Sequence, residues 1–321
     1  MINKAKLAVV GVGNNVAALV QGIVSFRASG ETVGVRRPVV RGLGVGDVEI
    51  VAAFAMSAAK VGADLHDAIF APPNNYPRVV DELSPSGVLV QRGLGDASEV
   101  DRVAEALAGA EVVLYAAPSG RPELATAYAE AALRAGAAFV NTTSDTVARD
   151  PRWIERYAAA GLPLLGDDLA GQFGASIVHR TLLRLLEERG LTLDGSYQVS
   201  LGGTEDIRNL AGNGEGKKKS RLNALTSDAS DASDAERIEI APIGYLTQLG
   251  AQKVAHINIE ARGWAGAPVS LDVKLKVHDA SGGAGVVIDL VRMAADALRD
   301  GRGGHVPEAD PLLKSPPGTA G

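Results

Sequence analysis

The sequence predicts an α/β chain in two parts: a doubly wound parallel sheet with helices on both faces, then a second, α+β unit built on an antiparallel sheet. Three observations carry this. Short apolar runs alternate with helix-like segments through the first half, the pattern of a buried parallel sheet. A Gly11-Val12-Gly13 turn follows the first of those runs, where a strand feeds a helix in nucleotide-binding sheets. In the second half two segments alternate apolar and polar residues with a strict period of two, which is a sheet with one buried face.

The elements follow in order. Residues 7–10 form the first apolar run and residues 16–27 the helix after it. Residues 49–54, 88–90, 112–117 and 138–141 are further strand candidates. Between the last two lies the stretch 122–135, whose Ala, Leu and Glu content favours a helix. Residues 174–190 read as an amphipathic helix ended by glycine. Ala255, Ile257, Ile259 and Ala261 then alternate with His256, Asn258, Glu260 and Arg262. Val269, Leu271, Val273, Leu275 and Val277 alternate with Ser270, Asp272, Lys274, Lys276 and His278, and a Gly-Trp-Ala-Gly-Ala-Pro link between the two predicts a hairpin. Residues 283–300 return to helix. The polar segment 213–236, with Lys217-Lys218-Lys219 and a Ser-Asp-Ala repeat, is expected to be a mobile loop.

Composition narrows the function. The 321 residues are 46% hydrophobic and 22% charged, enough for two cores of about 150 residues each. A net charge of −6 argues against a general binder of nucleic acid or anionic membrane. The absence of cysteine excludes disulfides, thiolate metal sites and a cysteine nucleophile. Five scattered histidines at no ligand spacing give no reason to expect a metal. No apolar run approaches the roughly 18 residues of a membrane span, and the chain opens straight into a strand without a signal-peptide pattern. A soluble cytoplasmic protein is expected.

The glycine turn is the first chemical signal. Its glycines permit a tight turn and let backbone N–H groups reach a pyrophosphate at a helix N-terminus. Val16 stands where a third glycine is usual, and Ala55 and Ser57 occupy the end of the second strand, where an acidic residue normally receives the ribose hydroxyls. No arginine lies beside Ser57, so NAD rather than its 2′-phosphorylated form is the expected cofactor. Asp167-Asp168 falls at a strand end, where ligands bind in such sheets. The same pair could equally cap a helix start.

Longer blocks occur in order: residues 9–15 with Leu19-Val20-Gln21-Gly22, residues 60–69 with Asn74-Asn75, Gly166-Asp167-Asp168 with Gln172 and residues 174–180, Gly202-Gly203 with Asp206 and Asn209-Leu210, Asp279 with residues 284–289, and Lys314-Ser315-Pro316-Pro317. Along nearly the whole chain they resemble the myo-inositol-1-phosphate synthase family in its shorter bacterial form. The resemblance implies a Rossmann domain over 1–185, a catalytic and tetramerisation domain with an open sheet over 186–282, and a C-terminal segment, 283–321, that returns to the first. It implies a homotetramer, a hexose 6-phosphate substrate, and bound NAD used transiently. The sugar is oxidised at C5, the acidified C6 adds to the carbonyl, and the hydride returns.

Residue by residue, the resemblance places the cofactor on Gly11, Gly13, Asn14, Asn15, Ser57, Asp167 and Asp279. It gives catalysis to Lys217, Lys253, Lys314 and Asp168, with Lys253 at the C5 oxygen, Lys314 at the C1 oxygen or in proton relay, and Lys217 at substrate and enolate. Gly203, Thr204, Asp206, Asn209, Ser220 and Arg221 would hold the sugar phosphate. Ammonium groups suit three oxygens that develop negative charge. The competing reading of Lys253 makes it a solvent-facing residue on the polar side of its strand. Departures cluster around the substrate: Ala170 and Arg221 replace lysines of the family, Thr204 replaces an asparagine, Gly250 and Ala251 replace acidic residues, and Thr142-Thr143-Ser144 replaces Ala-Leu-Pro. They point to a changed sugar, with fructose 6-phosphate giving a carbafuranose phosphate. The alternatives are an ordinary synthase acting on glucose 6-phosphate, a two-domain NAD(P) dehydrogenase, and a non-catalytic NAD-binding paralog.

Overall fold

The computed structural model describes residues 4–213, Leu225 and 236–318. In chain order the elements are β1 (Ala5–Val10), α1 (Asn14–Ser29), the short β2 (Val39–Val40) and β3 (Leu43–Gly44), β4 (Val48–Ala55), α2 (Leu65–Ala68), β5 (Val90–Arg92), α3 (Val100–Ala106), β6 (Val112–Tyr115), α4 (Pro122–Ala135), β7 (Ala138–Asn141), α5 (Pro151–Ala159) and β8 (Pro163–Leu165). There follow α6 (Ala175–Glu188), β9 (Thr192–Gly202), α7 (Glu205–Asn213), β10 (Ile238–Ile240), β11 (Gly244–Tyr245), β12 (Gln252–Arg262), β13 (Pro268–His278), α8 (Asp279–Arg299) and β14 (Gly304–His305).

The first sheet has seven parallel strands in the order β14-β8-β7-β6-β1-β4-β5. The chain builds outward from β1 to β4 and β5, then restarts at β6 on the other side of β1. That reversal opens a crevice above the carboxyl ends of β1 and β6, where ligands bind in such sheets. Period two along a doubly buried strand divides its side chains between two cores. Leu7 and Val9 pack with α1 and α8 on one face, and Ala8 and Val10 pack with α3, α4 and Tyr157 on the other. The chain's last strand, β14, joins the far edge beside β8. The run predicted at 88–90 starts its ladder at Val90, because Asp64 takes the amides of Ser86 and Gly87 and ties the preceding turn elsewhere.

The second sheet runs β10-β9-β12-β13, with β11 also on β9. β12 and β13 form the predicted hairpin, closed by Gly263 N–H donating to the Ala267 carbonyl at 2.8 Å. The sheet is mixed rather than antiparallel: β10 and β11 run parallel to β9, because the chain leaves β9 through α7 and re-enters the sheet by a crossover, the connection parallel strands require. α6 covers its apolar face with Val178, Leu182, Leu183 and Leu186. Among the described residues no helix is long and apolar enough to cross a membrane.

Candidate active site

A cavity of about 400 Å³ lies between the carboxyl end of the parallel sheet and the second sheet. Its floor is the glycine turn. Gly11 has φ +93° and donates to the Phe54 carbonyl at 2.9 Å. A Cβ there would fall 2.6 Å from the Ala116 carbonyl oxygen, so only glycine fits. Gly13 caps α1 without a side-chain hydrogen bond, and a Cβ on it would meet nothing within 4 Å. The start of α1 therefore has open space beside it, and a helix N-terminus is where a pyrophosphate is received. Val16, in the third-glycine position, is buried in the core. Asn14 and Asn15 line the cavity beside the turn, with Ser57 at the end of β4. These residues fit a dinucleotide.

Asn14 also fixes the geometry beyond the turn. Its Oδ1 accepts from the amides of Asn75 (3.0 Å) and Tyr76 (3.1 Å), and its Nδ2 donates to Asn75 Oδ1 at 2.7 Å. Asn75 Nδ2 in turn donates to the Gly203 carbonyl at 3.0 Å, so the glycine turn is tied directly to the end of β9. Lys60, whose role the sequence did not signal, lies 4% exposed on the same wall. Its Nζ donates to the Val12 carbonyl at 2.5 Å and to Asn74 Oδ1 at 2.6 Å. Burial lowers its pKa to about 8. The only prior mark on Lys60 was its place in the block at 60–69.

The lysines come from the opposite walls. Lys253 is the second residue of β12 and pairs with Gly202 and Val277 in the ladders. It shares the phase of Ala255 and Ile257, not of His256, so its side chain points to the covered face and not to solvent, contrary to the alternative reading. There the helix cover has ended and the cavity begins. Asp279 directly follows β13 as the first residue of α8, and both its carboxylate oxygens lie 3.2 Å from Lys253 Nζ. Lys314 Nζ donates to Asp168 Oδ1 at 3.2 Å. The backbone aligns that pair: Lys314 N–H donates to the Asp168 carbonyl at 2.7 Å, and Asp167 and Ser315 exchange hydrogen bonds at 3.0 and 3.2 Å. Asp168 itself has φ +55°, an uncommon conformation for a residue with a Cβ. Both lysines and both of their carboxylates line the cavity.

Asp167 belongs elsewhere. It is fully buried and does not line the cavity. Its oxygens accept from the amides of Val147 (3.0 Å), Ala148 (2.9 Å) and Arg149 (3.2 Å) and from Asn141 Nδ2 (2.6 Å). Burial raises its pKa, and the donors of Ala148, Asn141 and Val147 oppose that. Its acceptors are consumed in holding the turn after β7, which is a structural role and not the expected cofactor contact.

The substrate side opens at α7. Thr204, Asp206 and Asn209 line the cavity, and Thr204 Oγ1 lies 3.4 Å from the Ile207 amide, at the start of the helix. Gly203 sits just behind them. A Cβ there would approach Gly250 N to 2.5 Å and the Leu246 carbonyl oxygen to 2.8 Å. Lys217, Ser220, Arg221 and the predicted loop around them lie outside the described residues. Among the described residues no three of His, Asp and Glu are grouped to hold a metal ion.

Fold and site define a Rossmann-type protein whose crevice is closed by a second sheet carrying a lysine–carboxylate pair. The family model for myo-inositol-1-phosphate synthase matches residues 174–280. The inositol-3-phosphate synthase of Mycobacterium tuberculosis is 38% identical over 98% of this chain and 91% of its own length. Ari2, as a crystal structure, superposes with a TM-score of 0.87 at 46% identity, over 98% of this chain and 93% of its own. The myo-inositol-1-phosphate synthase-related protein of Thermotoga maritima gives 0.80 at 25% identity over 98% and 93%. The chain belongs to the myo-inositol-1-phosphate synthase family, which makes it an isomerase-type enzyme.

Proposed function

We propose that this protein carbocyclises a hexose 6-phosphate with NAD as a recycled cofactor, in the cytoplasm and as a homotetramer. The observation that carries the reading is the convergence of Lys253–Asp279 and Lys314–Asp168, each at 3.2 Å, on the cavity that the glycine turn floors. NAD bound there supplies the acceptor for the C5 hydride and the donor that returns it.

The protein's own residues supply positioning and charge. Lys253, oriented by Asp279, neutralises the C5 oxygen as it loses its proton and again when the ketone is reduced. With a ketone at C5, loss of a C6 proton leaves an enolate, whose charge falls to Lys217. The C6 carbon then bonds to the carbonyl carbon of the same molecule. That carbonyl oxygen becomes an alkoxide and takes a proton by way of Lys314, which Asp168 holds in place. The two protons released, from the C5 hydroxyl and from C6, are matched by the two taken up, by the new alkoxide and by the C5 oxygen on re-reduction, and the hydride returns, so there is no net oxidation.

The electrophile decides the product. An aldehyde at C1 closes a six-membered ring and a ketone at C2 a five-membered one. Ala170 and Thr204 line the same cavity as Lys314 and Lys253, so the family's lost ammonium and lost amide both change its lining. That favours a displaced carbonyl, and fructose 6-phosphate as the better substrate. Incubating the full chain with NAD and either sugar phosphate, with products read by NMR, tests both levels. A carbafuranose phosphate from fructose 6-phosphate is expected. Inositol phosphate from glucose 6-phosphate, with fructose 6-phosphate inert, overturns the substrate choice, and stoichiometric NADH overturns the cyclisation.

A further inference from the structure

In Rossmann sheets the free and the 2′-phosphorylated adenosine ribose are told apart at the end of the second strand from the switch point, where a carboxylate accepts from the ribose hydroxyls and repels a phosphate. That strand here is β4. It ends on the buried methyl of Ala55, and Met56 and Ser57 follow on the cavity wall. The facing wall is α4 with its N-cap residue: Arg121, Leu124 and Tyr128 line the same cavity. The two walls meet over Gly93, where a Cβ would lie 2.5 Å from Tyr128 Oη and 3.3 Å from Met56 Sδ. The Leu94 amide donates to that same Oη at 2.7 Å.

The charges on this cavity are divided. Its carboxylates are Asp168, Glu205, Asp206 and Asp279, of which two hold the lysines and two open α7. None of these four stands at the β4 end; outside the cavity lining, Glu99 lies beside Arg92 and pairs with Arg102, and Asp145 accepts from the Arg121 amide at 3.3 Å. That end has donors instead. The Ser57 hydroxyl and the exposed Arg121 guanidinium make no hydrogen bond or ion pair among the described residues. Arg92, the Cα partner of Ala55 across the β4–β5 ladder, is exposed at the same strand ends. No arginine neighbours Ser57 in sequence, yet the fold brings Arg121 to the same cavity from the other side of the sheet. Removing the carboxylate removes the repulsion against a phosphate dianion, and an uncommitted guanidinium adds charge-assisted bonds to it.

We propose that Ser57 and Arg121 form a 2′-phosphate subsite, so that the protein binds the 2′-phosphorylated nicotinamide dinucleotide as readily as NAD itself. The proposal rests on the dinucleotide reading of the crevice, and its test separates the two. Calorimetric titration of the full chain with NAD and with NADP is expected to give dissociation constants within about tenfold of each other. Arg121→Ala should weaken NADP by about tenfold or more and NAD by less than about threefold. Ser57→Asp should weaken NADP alone by a similar factor, by restoring the repulsion. Tighter binding of NAD than NADP by more than about tenfold in the unaltered chain overturns the subsite and leaves the crevice reading intact. An Arg121→Ala loss equal for both dinucleotides also overturns it. Binding of neither overturns the dinucleotide reading itself.

Discussion

Lys253 and Lys314 each reach the cavity on a side chain that is about one-seventh exposed, 15% and 14%. Each is held by a carboxylate at 3.2 Å. An ammonium fixed in this way costs no reorganisation when an oxyanion forms beside it. Replacing either lysine by Ala should therefore lower turnover by roughly a hundredfold or more, the scale of losing one such donor. Dinucleotide affinity by titration should stay near the unaltered value, because neither lysine contacts the glycine turn. Near-normal turnover in both variants would remove them from the mechanism. These two lysines were legible because their sequence blocks match a family pattern. Lys60 was not: its partners are a backbone carbonyl at Val12 and an amide at Asn74, and neither leaves a spacing in the sequence. Asp167 was misread for the opposite reason. Two adjacent aspartates look alike in sequence, but Asp168 at φ +55° turns toward the cavity while its neighbour is consumed by the turn after β7.

At the scale of elements, the contact between α6 and β9 carries a proton-linked weakness. The Ser196 hydroxyl donates to the Asn258 carbonyl at 2.6 Å, so His179 Nε2, 2.6 Å from the same oxygen, must carry the proton. Nδ1 then stays buried with only the Gln198 side chain beside the ring to oppose the burial. Burial lowers the His179 pKa from 6.5 to about 4. The folded pKa lies below the unfolded one, so the unfolded chain takes the proton first as pH falls. Stability from this group is whole above pH 6.5 and is lost between there and about pH 4, by roughly 3 kcal/mol for the unit-by-unit linkage. Urea unfolding at pH 7 and pH 4.5 should show a smaller acid loss in His179→Gln than in the unaltered chain. Equal losses would exclude the linkage. A second element-scale outcome follows from Gly203. Its α-hydrogen faces Gly250 N at a distance where a Cβ would clash. Gly203→Ala should push the start of α7 away from the turn of Leu246 and Gly250 and raise the KM for the sugar phosphate, with NAD binding by titration within about threefold. A KM unchanged in that variant would show the α7 start to be unimportant for substrate. The hairpin of β12 and β13 was readable from alternation alone. The parallel entry of β10 and β11 was not, because strand direction there depends on a crossover through a segment with no periodic signal.

For the whole molecule, the second sheet is unfinished. β13 is its edge, and its 11 residues offer one row of backbone groups with no neighbouring strand among the described residues. α6 covers β9 and β12, where Ala255, Ile257, Ile259 and Ala261 are buried. Its cover thins at the next strand, so Leu271, Val273, Leu275 and Val277 remain half-buried and Val269 is 40% exposed. Trp264, at the hairpin tip, is 95% exposed. A long edge strand with an uncovered apolar row is a liability that proteins close by pairing or covering. Nothing on β13 blunts it by shortness or by an internal proline, and its lysines, Lys274 and Lys276, lie on the other face. The proposed homotetramer would supply the cover: copies of this chain placing sheet against sheet would bury that row and the tryptophan together. Light scattering coupled to size exclusion should then give the tetramer mass for the unaltered chain. Leu275→Lys, which sets a charge in the half-buried row without touching the cavity, should shift it to a smaller species while leaving the helical circular dichroism unchanged. A monomer at micromolar concentration in the unaltered chain, or an unshifted mass in the variant, would mean that this sheet meets solvent and not a second copy.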